Sequence, residues 1–200
     1  MNKILVTGFV RFLGEATNPT QHILDEIKAE LPLIETLLLP VSFQQSWKLL
    51  EVKLNSKEYD YVLMLGQAGG RECVEFERVA LNWIETSHPD EDGRTPEVGK
   101  IGSGADVYFS SFPIEQVISN LKVRKVPTRV SLSAGGYVCN YLYYNCLHYL
   151  AGSASKTKAC FIHVPYLPVQ IVGKSSKTPF MALSVMLEAI RITIETVIRK

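Results

Sequence analysis

Charge of one sign is not in excess in this 200-residue sequence: 21 Lys and Arg stand against 20 Asp and Glu, a net charge of +1. Such a balance offers no broad basic face for nucleic acid and no acidic tail. No apolar run approaches the length of a bilayer span, so no membrane partner is expected. The opening MNKILVTGF has one Lys and a very short apolar run. It is expected as a first core strand and not as a signal peptide. Cysteine is sparse: Cys73, Cys139, Cys146 and Cys160 show neither CxxC spacing nor a paired Cys/His cluster. That spacing excludes the common zinc signatures. Without an export signal the expected compartment is reducing, with free thiols. Internal repeats, low-complexity tracts and a clear linker are also missing, so residues 1–200 are expected to form one domain.

What is present is alternation. Short apolar runs at Lys3–Thr7, Ile34–Leu39, Tyr61–Leu65, Thr128–Ser133 and Ala159–Val164 read as strands. Between them lie helical patterns: one opened by Asn18-Pro19, then Gln44–Leu54, Pro113–Lys122 and Tyr137–Leu150. Val74–Trp83 reads as extended but mixed in polarity. Glu85–Gly104 is polar and rich in Pro and Gly, a long loop of the kind that is often functional. From Leu183 to Ile198 apolar residues recur at helical spacing, which predicts a core-facing helix, with an oligomer contact as the alternative. Near-continuous apolar strands alternating with helices predict an α/β fold with a largely parallel sheet covered on both faces. Sites in such folds form beyond the carboxyl ends of the strands.

Cys139 follows Gly135-Gly136 where a strand run becomes a helix run. A thiol in the first turn of a helix faces unpaired N–H groups, which predicts a lowered pKa and a ready oxyanion site. A buried structural cysteine is the alternative. A thiolate needs a base. Of the four histidines, His163 is placed best, at the carboxyl end of a strand; a hydrogen-bonded structural His is its alternative. Glu75 and Glu77 share one face of the extended run with Val79 and Leu81, and a carboxylate on an apolar face needs a partner. Glu77, flanked by apolar residues, is the stronger candidate, against a solvated edge strand. Gly66–Arg71 (GQAGGR) lacks both the GxxxxGK[ST] and the GxGxxG pattern, so phosphate or nucleoside binding is only a weak alternative there.

Four segments in order, TGFVRF…NPT, GQAGGR…ERVALN, SLSAGGYVCNYLYYNCLHY and FIHVPYLPVQI, resemble the pyroglutamyl-peptidase I (pyrrolidone-carboxylate peptidase) family of cysteine peptidases. The resemblance implies a three-layer α/β/α sandwich with a mixed, mostly parallel twisted sheet of the phosphorylase/hydrolase-like kind. It implies hydrolysis of an N-terminal pyroglutamyl residue from peptides through a thioester, with Cys139 as nucleophile, His163 as base and Glu77 as the orienting carboxylate. It also implies no cofactor or metal, a cytoplasmic location and a homotetramer. Phe9, Phe12, Tyr137 and Val138 would wall the ring pocket, with Asn18 and Gln67 as polar contributors. Two departures stand out. GFVRFLG has Arg11 and Leu13 where the family reads GFxPFGG, and leucine resists angles that glycine accepts, which predicts a pocket loop that runs differently. ETSHPDED places Ser87 where the family's DARIPDN has Arg, with His88 or Arg94 as candidate substitutes. That gap points to the alternative function: a homologue that binds pyroglutamyl-type N-termini without efficient cleavage.

Overall fold

The structure, a computed structural model, describes residues 2–198. Eight strands and five α-helices form it: β1 (Ile4–Phe9), α1 (Pro19–Glu30), β2 (Glu35–Leu39), α2 (Phe43–Ser56), β3 (Tyr61–Gln67), β4 (Val74–Glu77), β5 (Val79–Leu81), β6 (Val107–Phe109), α3 (Ile114–Val123), β7 (Thr128–Ser131), α4 (Val138–Gly152), β8 (Lys158–Val164) and α5 (Leu183–Ile198). Six strands make one sheet in the order β2-β1-β3-β8-β4-β7, and β5 and β6 pair as a separate antiparallel ribbon. Within the main sheet only the β4–β8 pairing is antiparallel. The sheet is therefore mixed and mostly parallel, as the resemblance implies.

Alternation of side chains divides each strand between two cores. Ile4, Val6, Leu63, Leu65, Val74, Phe76 and Ile162 pack with α1, α3 and α5 on one face. Leu5, Phe9, Val62, Met64, Ala159 and Phe161 pack with α2 and α4 on the other. All seven residues of β3 are buried, because helices cover both of its faces. The result is an α/β/α sandwich. The C-terminal helix presents Met186, Leu187, Ile190, Ile194 and Val197 to the core, as its spacing predicts. Asn18 caps α1 by accepting from the Thr20 N–H at 3.0 Å, with Pro19 in the first turn.

The extended run at 74–83 is not one strand. It breaks at Arg78, whose N–H donates to Ser131 O at 2.8 Å and whose carbonyl accepts from Ser110 N–H at 2.9 Å. Beyond it the chain leaves the sheet to pair with β6, a strand the polar composition around it conceals. A 3-10 turn at Pro168–Ile171 likewise sits in what reads as loop.

The loop after β1 takes a left-handed path at two successive residues. Leu13 has φ +50° and Gly14 φ +73°. Leu13 is 62% exposed, so burial offers little to offset the clash between its Cβ and the backbone. Leu13→Gly removes strain of roughly 1–2 kcal/mol at the expense of roughly 0.5–1 kcal/mol of unfolded-chain entropy. A net gain of about 0.5–1 kcal/mol is expected, read by calorimetry as a melting temperature higher by about 1–4 °C; an unchanged or lower value would show that the loop holds Leu13 without strain.

Candidate active site

The site begins with two acidic residues on β4. Val74 and Phe76 point into one core, so Glu75 and Glu77 necessarily point into the other. There β4 meets β8 in antiparallel register, Glu75 opposite His163 and Glu77 opposite Phe161. The imidazole leans along the strand to Glu77, whose Oε1 lies 2.8 Å from His163 Nδ1. With a carboxylate on Nδ1, that nitrogen carries the proton and donates it, leaving Nε2 free to accept one. His163 is 3% exposed and Glu77 0%. Burial pushes the His163 pKa below its ordinary value; the bond and charge of Glu77 oppose that shift, and the Arg71 charge adds to it. The imidazole is therefore neutral at neutral pH.

Cys139 reaches the same point from another direction. The β7 strand runs parallel to β4 and hence opposite to β8. Its last residue, Ser131, lies level with Glu77 and Phe161, heading away from His163. The carboxyl ends of β7 and β8 are thus not at one edge of the sheet. Residues 132–137 instead turn the chain back, with Gly135 at φ +85°. Tyr137 then caps α4 in extended conformation without a side-chain hydrogen bond, so its own side chain does not occupy the first-turn N–H groups. Cys139 is the second residue of that helix. Its sulfur lies over Gly66: a Cβ added there would come within 3.1 Å of Sγ and 2.7 Å of the Phe161 ring. Gly66 is also the register partner of His163. Thiol and imidazole therefore stand on one face of the sheet beside a glycine that leaves room for the sulfur and the Phe161 ring.

The thiol is not acidified at rest. Part of Cys139 is open to solvent, yet burial around its sulfur pushes the pKa up to about 12. The Glu77 charge acts in the same direction, while Arg71 and a backbone hydrogen bond pull against it. The lowered value expected from the helix start is corrected, because loss of hydration outweighs the N-terminal field. The resting pair is a neutral thiol and a neutral imidazole.

Phe9 is buried and Phe12 half-buried, both against the core on the Cys139 side, and Val138 is fully buried next to Cys139 in the chain. Tyr137 stands edge-on to Phe43 at 5.3 Å, and its hydroxyl donates to Pro89 O at 2.9 Å. The two amide side chains are otherwise engaged. Asn18 donates to Val10 O at 3.0 Å and accepts from Thr20. Gln67 follows Gly66 on the strand and so faces the opposite side of the sheet, where its Oε1 accepts from Gln170 Nε2 at 2.9 Å. The Gln67 side chain thus lies on the face of the sheet opposite Cys139. Ser87, His88 and Arg94 are all exposed. The residue that sequence reading passed over is Arg71, which lies 3.3 Å from Glu77 Oε1. Its signal was available: two carboxylates on a buried face require a cation.

Two measurements follow from this geometry. Gly66→Ala is expected to destabilise the protein by about 1–3 kcal/mol by overpacking against Phe161, and to displace the sulfur; wild-type stability and reactivity would show that the contact is slack. Alkylation of Cys139 by iodoacetamide is expected to keep accelerating through neutral into alkaline pH. An early plateau at acidic pH would instead reveal a preformed thiolate–imidazolium pair.

The chain is similar to proteins of one family along almost its whole length. A family model described as pyroglutamyl peptidase matches residues 2–200. A pyrrolidone-carboxylate peptidase of Brevibacillus brevis is 38% identical, covering 99% of this chain and 94% of the relative. One of Pyrococcus furiosus is 38% identical, covering 99% of each. Among solved structures, the pyrrolidone carboxyl peptidase of Fervidobacterium islandicum superposes with a TM-score of 0.93 at 39% identity, over 100% of this chain and 99% of that one. The pyroglutamyl peptidase I of Bacillus amyloliquefaciens gives 0.91 at 32%, over 98% and 94%. With the match running through nearly every residue, the chain belongs to the pyroglutamyl peptidase family.

Proposed function

We propose that this protein is a cysteine omega-peptidase that hydrolyses the N-terminal pyroglutamyl residue from peptides. The observation that carries the reading is the convergence of Cys139 and His163 on Gly66, with Glu77 bonded to the far side of the imidazole. In the proposed reaction Cys139 Sγ attacks the pyroglutamyl carbonyl as its proton passes to His163 Nε2. That proton goes to the departing amine as the C–N bond breaks, leaving a thioester. His163 then takes a proton from water, which attacks the thioester and releases pyroglutamate and the free thiol. The open N–H groups of the first α4 turn are suited to the oxyanion. The proposed walls for a flat, uncharged lactam are Phe9, Phe12, Tyr137 and Val138, apolar and aromatic side chains on the Cys139 side of the sheet.

A binding protein without efficient turnover is the second reading, favoured by one observation: Ser87 is exposed and neither His88 nor Arg94 is buried at the site. The proposal extends to a cytoplasmic homotetramer. In its support the four cysteines are free, exposed apolar residues such as Phe109 and Leu132 offer contact surface, and among the described residues no helix is long and apolar enough to cross a membrane. Light scattering in solution measures the assembly.

A chromogenic pyroglutamyl amide tests the main reading. Wild type is expected to release the amine; Cys139→Ala abolishes release, and His163→Ala or Glu77→Gln lowers kcat on the order of a thousandfold or more. Tight binding without release supports the second reading. The pH profile has a defined sign. His163 must be neutral to accept a proton, and its pKa lies below the ordinary 6.5, so activity should persist further into acid than an unperturbed histidine allows. Stability moves with it: below about 6.5 the unfolded imidazole takes up protons that the folded one resists, so His163 costs stability progressively as pH falls towards its folded value. An acid limb above 6.5 would contradict this placement.

A further inference from the structure

We propose that Arg71 is a positioning residue for this reaction, its guanidinium holding at once the Glu77 carboxylate and the start of the segment that carries Cys139. The inference rests on the peptidase reading for its kinetic expression, but its geometry is independent of it. Arg71 leaves the loop after β3 with a side chain 20% exposed. Its Nη1 lies 3.3 Å from Glu77 Oε1, the same oxygen that accepts from His163. The other Glu77 oxygen, Oε2, is buried with no hydrogen-bond partner. Oε1 therefore carries the orientation of the whole carboxylate, and Arg71 is its partner besides His163 among the described residues. On its other side Arg71 donates from Nη1 to Ser131 Oγ at 3.1 Å and from Nη2 to Ser133 O at 3.0 Å.

Those two serines sit where control is most needed. Ser131 ends β7, which points away from His163, and the next six residues must reverse the chain to bring Cys139 back over Gly66. A clamp at the root of that reversal fixes where α4 begins. The same side chain ion-pairs with Glu75 Oε2, so one cation spans both buried carboxylates. Glu75 is balanced from behind by Arg129, whose Nη2 lies 2.5 Å from Glu75 Oε1 without hydrogen-bond geometry. Two arginines and two glutamates thus leave no net charge around the imidazole. The groups facing His163 are Glu77 and Glu75 from β4, Arg71 from the preceding loop and Cys139 from α4. Lysine cannot replace such a fork, because it is a point donor without the planar geometry that reaches two partners.

Arg71→Lys keeps the charge that the fold requires and removes the fork. Its kcat for a pyroglutamyl amide is expected to fall on the order of tenfold to a hundredfold, with KM held within about twofold. The downfield NMR signal of the His163 Nδ1 proton should weaken or move, which a purely structural arginine would not cause. That signal is read without substrate, so a wild type that fails to cleave would sink the functional reading while the Arg71 inference is still decided. If the single variant does not fold, Arg71→Gln combined with Glu75→Gln, which deletes both members of one ion pair, is read in the same two ways. Wild-type kcat and an unmoved Nδ1 proton in either folded variant overturn the inference. Failure of both variants to fold overturns it as well, since Arg71 would then serve the fold at large.

Discussion

Glu77 is a carboxylate with no solvent exposure, on a sheet face otherwise filled by Phe161, Met64 and the underside of α4. A charge in that position costs several kcal/mol unless it is paired and hydrogen-bonded. Its pairing with His163 explains why the imidazole is fixed in one orientation, why Nε2 is the free nitrogen, and why arginine is needed nearby. The same charge adds to the burial that raises the thiol of Cys139, so in the proposed reaction the carboxylate that orients the imidazole also favours the protonated thiol.

Sheet topology decides which chemistry is possible. A purely parallel sheet would send β4 and β7 the other way and put the end of β7 beside the end of β8. The antiparallel insertion of β4 places Glu77 two residues along from the position facing His163, within reach of the ring. It also forces the chain after β7 to turn back. Gly66 resolves the crowding this creates, since no other residue leaves space for both the Phe161 ring and the Cys139 sulfur. Glycine is used here for its missing volume and not for its backbone freedom.

Much of this was legible in the residues. The apolar runs of β1, β3 and β8, the Asn18-Pro19 cap and the stripe of α5 are local signals, and local physics sets them. Cys139, His163 and Glu77 were each singled out by a conflict between chemistry and neighbourhood: a thiol at a helix start, an imidazole at a strand end, an acid on an apolar face. What the sequence hid was non-local. Strand direction is a property of pairing, so the reversal of β4 and β7 left no mark in either segment. The thiol's raised pKa depends on packing around sulfur that only the assembled sheet provides. Gln67 was placed on the site by its position in a motif, but alternation after Gly66 turns its side chain to the other face.

The contacts of the candidate site also join distant parts of the chain. Glu77 and His163 are 86 residues apart, and Arg71 reaches Ser131 across 60. Closing loops of that length comes late in assembly, after local helices and hairpins have formed. A nascent or partly opened chain, with the β4–β7 edge undocked, holds every component of the machinery and none of its alignment. In the proposed reaction turnover therefore reports a molecule whose β4–β7 edge has seated.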